Sequence, residues 1–91
     1  MWIVYMLSCR DGSLYTGITN DLRRRLARHR AGTASAYTRA RRPVRLVYEE
    51  RQPDRRAALR REAALRRLSR DEKLMLVREG RGGRHRARST G

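Results

Sequence analysis

Residues 2 to 9, WIVYMLSC, form an unbroken apolar and β-branched run, and no other stretch restricts the fold as much. A strand with one wet face alternates apolar and polar residues; this one does not, so it calls for cover on both faces. RDGS follows and supplies Asp11-Gly12, a hairpin turn signal. LYTGIT then returns as a second strand, with Gly17 marking a bulge, a strand end or a close backbone approach.

The rest of the chain provides the cover. TND carries N-cap residues for a helix from about Asp21, which Gly32 stops. TASAYTRARR reads as a polar basic loop, and Pro43 opens VRLVYEE, whose alternation predicts a third, half-exposed strand. Pro53 and Asp54 start an Ala/Leu helix through about Leu68. SRDE is a capping box, Ser69 with Glu72, for a last helix ending near Gly80. The expectation is an α/β (α+β) single domain over residues 1–79, a three-stranded, mainly antiparallel sheet flanked by helices. Residues 80–91, basic and of low complexity, are expected to be a disordered tail.

Charge points to the partner. Lys and Arg number 24 against nine acidic residues, a formal net charge of +15, and only Lys73 among the 24 is lysine. A GC-rich genome accounts for Arg over Lys but not for the excess over acids. Such a field selects polyanions, with nucleic acid first, DNA favoured over RNA. Cys9 is the single cysteine, which excludes an intramolecular disulfide and a cysteine metal cage. No apolar run approaches the roughly 18 residues of a membrane span, so the expectation is a cytoplasmic protein without a membrane partner.

A helical wheel sorts the arginines of the first helix. Leu22, Leu26, His29 and Arg25 fall within one arc of roughly 100°, while Arg23, Arg24, Arg28 and Arg30 fall outside it, toward solvent or phosphate. Arg25 and His29 thus sit on the shoulder of the apolar stripe. Arg25 either snorkels along the sheet edge or serves a site there. On the second long helix Ala57, Ala58, Ala64, Leu65 and Leu68 form the stripe, with Arg61 inside it and Leu59 outside. Glu62 lies at the edge of that stripe. It is either half of a surface i, i+4 pair with Arg66 or a carboxylate for a divalent ion.

Tyr5 and Tyr15 flank the hairpin turn. A two-residue turn at Asp11-Gly12 would point them to opposite faces of the sheet. A three-residue loop with a left-handed Gly12 shifts the register by one and brings both phenols to one side. Two such phenols are either core with wet hydroxyls or groups that orient and deprotonate water.

Tyr5, the ten-residue step to Tyr15 in YTG, the run TNDLRRRLARH and a later helical Glu together resemble the GIY-YIG nuclease superfamily, in particular its small stand-alone bacterial members. The likeness runs from about Trp2 to Val77. The resemblance implies catalytic roles for Tyr5, Tyr15, Arg25 and His29 and a metal-binding role for Glu62. Ile3-Val4 stand where the signature has Gly-Ile. It also implies Mg²⁺ or Mn²⁺ as cofactor, and hydrolysis of DNA phosphodiester bonds, structure-selective repair or recombination being one setting. Arg23, Arg24, Arg28, Tyr37 and Arg39 are the expected nucleic-acid contacts, and a protein partner is one possible source of specificity. The alternative is a catalytically idle module that grips DNA or RNA through its arginine surface.

Overall fold

Gly12 decides the hairpin. The computed structural model describes the backbone of residues 1–83 and the side chains of residues 1–80. Within it β1 (Trp2–Ser8) and β2 (Leu14–Thr19) are joined by a loop closed by Cys9 N–H to Ser13 O (2.9 Å) and Gly12 N–H to Cys9 O (2.9 Å). Gly12 sits at φ +85°, left-handed backbone that glycine adopts without a Cβ penalty. The extra loop residue sets Tyr5 opposite Gly17 and Leu7 opposite Tyr15. Of the two registers open to the sequence, the one placing both phenols on the same face is realised.

A third strand, β3 (Arg45–Gln52), pairs antiparallel with the other edge of β1, giving the order β2-β1-β3. β1 is therefore central, and its lack of alternation has a direct cause. On one face Tyr5, Leu7 and Cys9 pack with Leu22 and Leu26 of α1 (Leu22–Ala31). On the other face Val4 packs with Ala58 and Leu65 of α3 (Arg55–Arg66) and with Leu76 of α4 (Arg70–Gly83). β3 starts at Arg45 rather than at Pro43, and Val44 is buried in the first of these clusters. A bulge at Val47, between the pairs Met6–Tyr48 and Leu7–Leu46, turns Leu46 and Tyr48 to opposite faces.

The helix ends follow the capping residues. Asp21 Oδ1 accepts from Arg24 N–H at 3.1 Å, Asp54 Oδ1 from Ala57 N–H at 2.8 Å, and Ser69 and Glu72 bond reciprocally at 2.8 and 3.1 Å. Gly32, at φ +82°, ends α1. α4 continues to Gly83, past the Gly80 where the tail was expected to begin, and residues 84–91 of that tail lie outside the described residues.

Two local expectations are corrected. The segment read as loop contains a one-turn helix, α2 (Ala36–Arg39), capped by Ser35, whose Oγ accepts from Thr38 N–H at 3.1 Å. One turn is too short to carry a readable periodicity. On α3, Ala64 is exposed, whereas Arg61 inside the stripe has a partner: its Nε donates to Glu50 Oε1 at 2.7 Å. Tyr48 donates to Glu50 as well, and burial with that carboxylate pushes the Tyr48 phenol up to about 12. A partly exposed arginine thus satisfies a half-buried carboxylate under the edge strand.

Candidate active site

The site grows from Tyr5, on the central strand and 1% exposed. Its ring lies over Gly17 of β2. A Cβ on Gly17 would stand 2.6 Å from Tyr5 Oη and 2.8 Å from Cζ, so glycine here is required by close approach. The phenol ends against α1, where Oη is 2.9 Å from His29 Nε2. His29 is completely buried, as the wheel suggested, and its Nδ1 lies 2.8 Å from Thr38 Oγ1.

Thr38 is equally buried and sits in reach of Ser35, with Oγ to Oγ1 at 2.9 Å. When the Thr38 hydroxyl donates within the Ser35 turn, its oxygen is left to accept from His29 Nδ1–H. Nε2 is then the lone-pair nitrogen and accepts from Tyr5 O–H. The chain Tyr5–His29–Thr38 links β1, α1 and α2 through the buried interior.

Tyr15 completes an aromatic wall. Its ring is 6.5 Å from Tyr5 and meets His29 edge-on at 5.3 Å. Tyr37 stacks on Tyr15 at 5.8 Å, and the Arg41 guanidinium covers Tyr37 at 3.8 Å from its centroid. Arg41 is held in turn by Asp11 Oδ2 at 3.0 Å and by the Tyr37 carbonyl at 3.1 Å. Tyr37 thus braces Tyr15 while remaining exposed at the surface.

Charge from two helices reaches the phenol. Burial, then Tyr15, raises the Tyr5 pKa; Arg25 of α1 lowers it and Glu62 of α3 raises it again. The net direction is upward, so the proximity of Arg25 does not by itself make Tyr5 acidic. His29 moves the other way: burial and then Arg25 lower its pKa, which keeps the imidazole neutral. Glu62 has only 17% of its side chain exposed, and its Oε2 is 3.3 Å from Arg66 Nη2. Arg66 also donates to the Thr16 carbonyl of β2 at 3.3 Å, which ties α3 to the strand edge beside Gly17. The surface pair foreseen as one reading of Glu62 is therefore present, and the same carboxylate lies within electrostatic reach of Tyr5.

The arginines divide into two places. Arg24, Arg25 and Arg28 line a groove of about 520 Å³ with Thr19, Asn20 and Asp21. Arg23 is exposed on α1, and Arg39 faces a different groove. Among the described residues no three His, Cys, Asp or Glu side chains gather as a metal cage, and no helix is long and apolar enough to cross a membrane. Sequence reading missed Thr38, the bond from Arg66 to the Thr16 carbonyl and the Asp11–Arg41 brace. Only Thr38 had a local signal, the Ser35 cap three residues before it, and nothing in that signal pointed to His29.

A buried tyrosine on the central strand of an antiparallel three-stranded sheet thus meets a buried histidine of the first helix, with an arginine on that same helix and a glutamate on a later one. The chain belongs to the GIY-YIG family: the GIY-YIG catalytic domain matches residues 1–75. Among its relatives, a UPF0213 protein of Streptococcus sanguinis is 47% identical over 76 residues, covering 84% of this chain and 87% of the relative. One from Xanthomonas axonopodis pv. citri is 52% identical over 73 residues, covering 80% and 72%. The solution NMR structure of a UPF0213 protein from Bacillus halodurans superposes with a TM-score of 0.57 at 44% identity, covering 88% of this chain and 87% of that one. The family assigns a nuclease-type domain, and with it a nucleic-acid substrate.

Proposed function

We propose that this protein is a divalent-metal-dependent endonuclease that hydrolyses DNA phosphodiester bonds, working in the cytoplasm. One juxtaposition carries the reading: a phenol hydrogen-bonded to a neutral buried histidine, with Arg25 and Glu62 both in electrostatic reach of it. A structural core has little use for that combination, and Arg25 itself lines the groove with Arg24 and Arg28. The buried free thiol of Cys9 agrees with a reducing compartment.

Glu62 is the residue that would hold Mg²⁺ or Mn²⁺. Arg66 engages its Oε2, while Oε1 has no hydrogen bond among the described residues. One carboxylate with the remaining positions left to water and phosphate suits a Mg²⁺-type site, which seldom uses an all-protein cage. A bound ion would supply Lewis-acid stabilisation of the phosphate oxygens.

The protein's own groups move the proton. Tyr5 keeps its proton at neutral pH, so it acts as a relay: as water attacks phosphorus and the ester bond to the leaving sugar oxygen breaks, a water proton passes to Tyr5 Oη, the phenol proton passes to His29 Nε2, and the leaving oxygen takes a proton from solvent. The imidazolium formed keeps donating from Nδ1 to Thr38. Tyr15, edge-on to the same imidazole, is the second phenol in reach. Arg25 places its guanidinium where charge builds on the phosphate. Arg24 and Arg28 hold flanking phosphates in the same groove.

A second reading has its own observation. The Arg66–Glu62 pair suffices as a reason for Glu62, which leaves room for an idle binding module. Cleavage of labelled branched, nicked and linear DNA with Mg²⁺, beside Glu62→Gln, separates the two. The nuclease cuts at least one substrate and the variant loses at least a hundredfold in rate with near-unchanged melting and DNA affinity. A variant that cuts like the parent removes Glu62 from the chemistry, and a parent that binds DNA without cutting any substrate supports the binding module.

A further inference from the structure

A second basic groove of about 510 Å³ lies away from the tyrosines, lined by Arg10, Arg30, Arg39, Arg42, Pro43 and Val44. Four guanidiniums converge there from four places: the hairpin loop, the end of α1, the end of α2 and the approach to β3. The ion pairs among the described residues are Arg41–Asp11, Arg61–Glu50 and Arg66–Glu62, so none of the four has a carboxylate partner. Like charges gathered around one cleft repel, and an anion in the cleft relieves that repulsion.

The groove is also pre-shaped. Arg42 donates from Nε to the Arg39 carbonyl and from Nη1 to the Arg30 carbonyl, both at 3.2 Å. Its guanidinium lies against Gly32, where a Cβ would stand 2.8 Å from Cζ. The turn glycine that ends α1 thus also makes room for the arginine that joins the ends of α1 and α2. The other three arginines are exposed, and their side chains make no hydrogen bond among the described residues.

Position indicates the ligand. At about 100° per residue, Arg24, Arg25 and Arg28 lie on one flank of α1, and Arg23 and Arg30 on the other. The two grooves therefore straddle α1, whose diameter with side chains is about 10–12 Å. The major groove between the two strands of a DNA duplex is ~12 Å wide and admits one helix.

We propose that the Arg10–Arg30–Arg39–Arg42 groove binds the phosphodiester backbone of a second strand of the substrate while the strand to be cut lies along Arg24, Arg25 and Arg28. This rests on the nuclease reading for the first strand only. It makes the substrate a two-stranded structure gripped on both sides of α1.

The test compares two triple variants of the full chain in DNA binding at several salt concentrations, on a labelled 20-base-pair duplex and a four-nucleotide single strand. Arg10→Ala/Arg30→Ala/Arg39→Ala empties the groove but spares Arg42, which braces the loop. Arg56→Ala/Arg60→Ala/Arg67→Ala removes the same charge from α3 and its C-cap, on the opposite side of the sheet. The groove variant should bind the duplex roughly tenfold more weakly at low salt, with a slope of log affinity against log salt smaller by about 3. Its affinity for the short strand should be unchanged, and the α3 variant should lose much less on the duplex. Equal losses in both variants would reduce the groove to bulk charge, and equal losses on duplex and short strand would remove the second strand; either overturns the proposal. Because binding is the readout, a parent that never cleaves DNA would sink the nuclease reading and still leave this comparison decisive.

Discussion

Gly17→Ala probes the geometry of the site with one methyl group. The new Cβ would lie 2.6 Å from Tyr5 Oη, 0.8 Å short of the 3.4 Å at which ordinary contact begins. Tyr5 has little room to yield, since its Oη is held 2.9 Å from His29 Nε2 and His29 is fully buried. A displacement of that size takes the donor–acceptor distance past the range of a hydrogen bond. Overpacking of this kind costs about 1–3 kcal/mol. Replacing glycine within a strand returns about 0.5–1 kcal/mol, because its backbone here is not left-handed. The net loss centres on ~1 kcal/mol, or roughly 4–8 °C in Tm for a domain of this size. Thermal melting reads the stability, and single-turnover DNA cleavage at saturating enzyme reads the site; the expected result is a folded protein with cleavage reduced at least a hundredfold. In Gly17→Ala/Tyr5→Phe the Oη contact is gone while the Cζ contact at 2.8 Å stays, so Tm should recover in part and cleavage not at all. If Gly17→Ala melts within a degree of the parent and cleaves at its rate, the close approach of Tyr5 has no role in either.

Other perturbations separate the remaining residues. Arg25→Ala should lower single-turnover cleavage at least a hundredfold with little change in DNA affinity, whereas Arg24→Ala and Arg28→Ala should each weaken binding and reduce the salt slope by about 1; equal turnover losses at all three would void the division of roles. Since the proton acceptor His29 has its pKa lowered from 6.5, the parent's cleavage rate should hold as pH falls below 6.5 and drop only at the lower folded value. Thr38→Val removes the acceptor that orients His29 Nδ1–H, so cleavage should fall roughly tenfold or more at unchanged DNA affinity, part of the ~10²–10⁴ that positioned acid–base groups supply; parent-like rates across the pH profile would free Thr38 from that role. Thr16 Oγ1 is buried without a hydrogen-bond partner among the described residues, so Thr16→Val, of the same shape, should raise stability by about 1 kcal/mol, read as a higher Tm.

What the sequence by itself determined is local in origin. The unbroken β1 run demanded cover on both faces, and helices supply it on both. Asp21, Asp54 and the Ser69–Glu72 box act within one turn of their helices, so the helix starts were legible. The 3.6-residue period was enough to put Arg25 and His29 against the sheet and Arg24 and Arg28 toward solvent. Tertiary structure decided what depends on distant residues. Whether Tyr5 and Tyr15 share a face turned on a single loop residue, since a register step of one moves every side chain across the sheet. Arg61 broke the apolar stripe of α3 because its partner, Glu50, lies on a strand formed eleven residues earlier. Thr38 reaches His29, Arg66 reaches Thr16, and Arg39 parts from Arg24 and Arg28 only when the chain closes on itself. Spacing reports on neighbours within a turn or a strand, whereas a proton relay or a phosphate groove is built by groups that meet through the core.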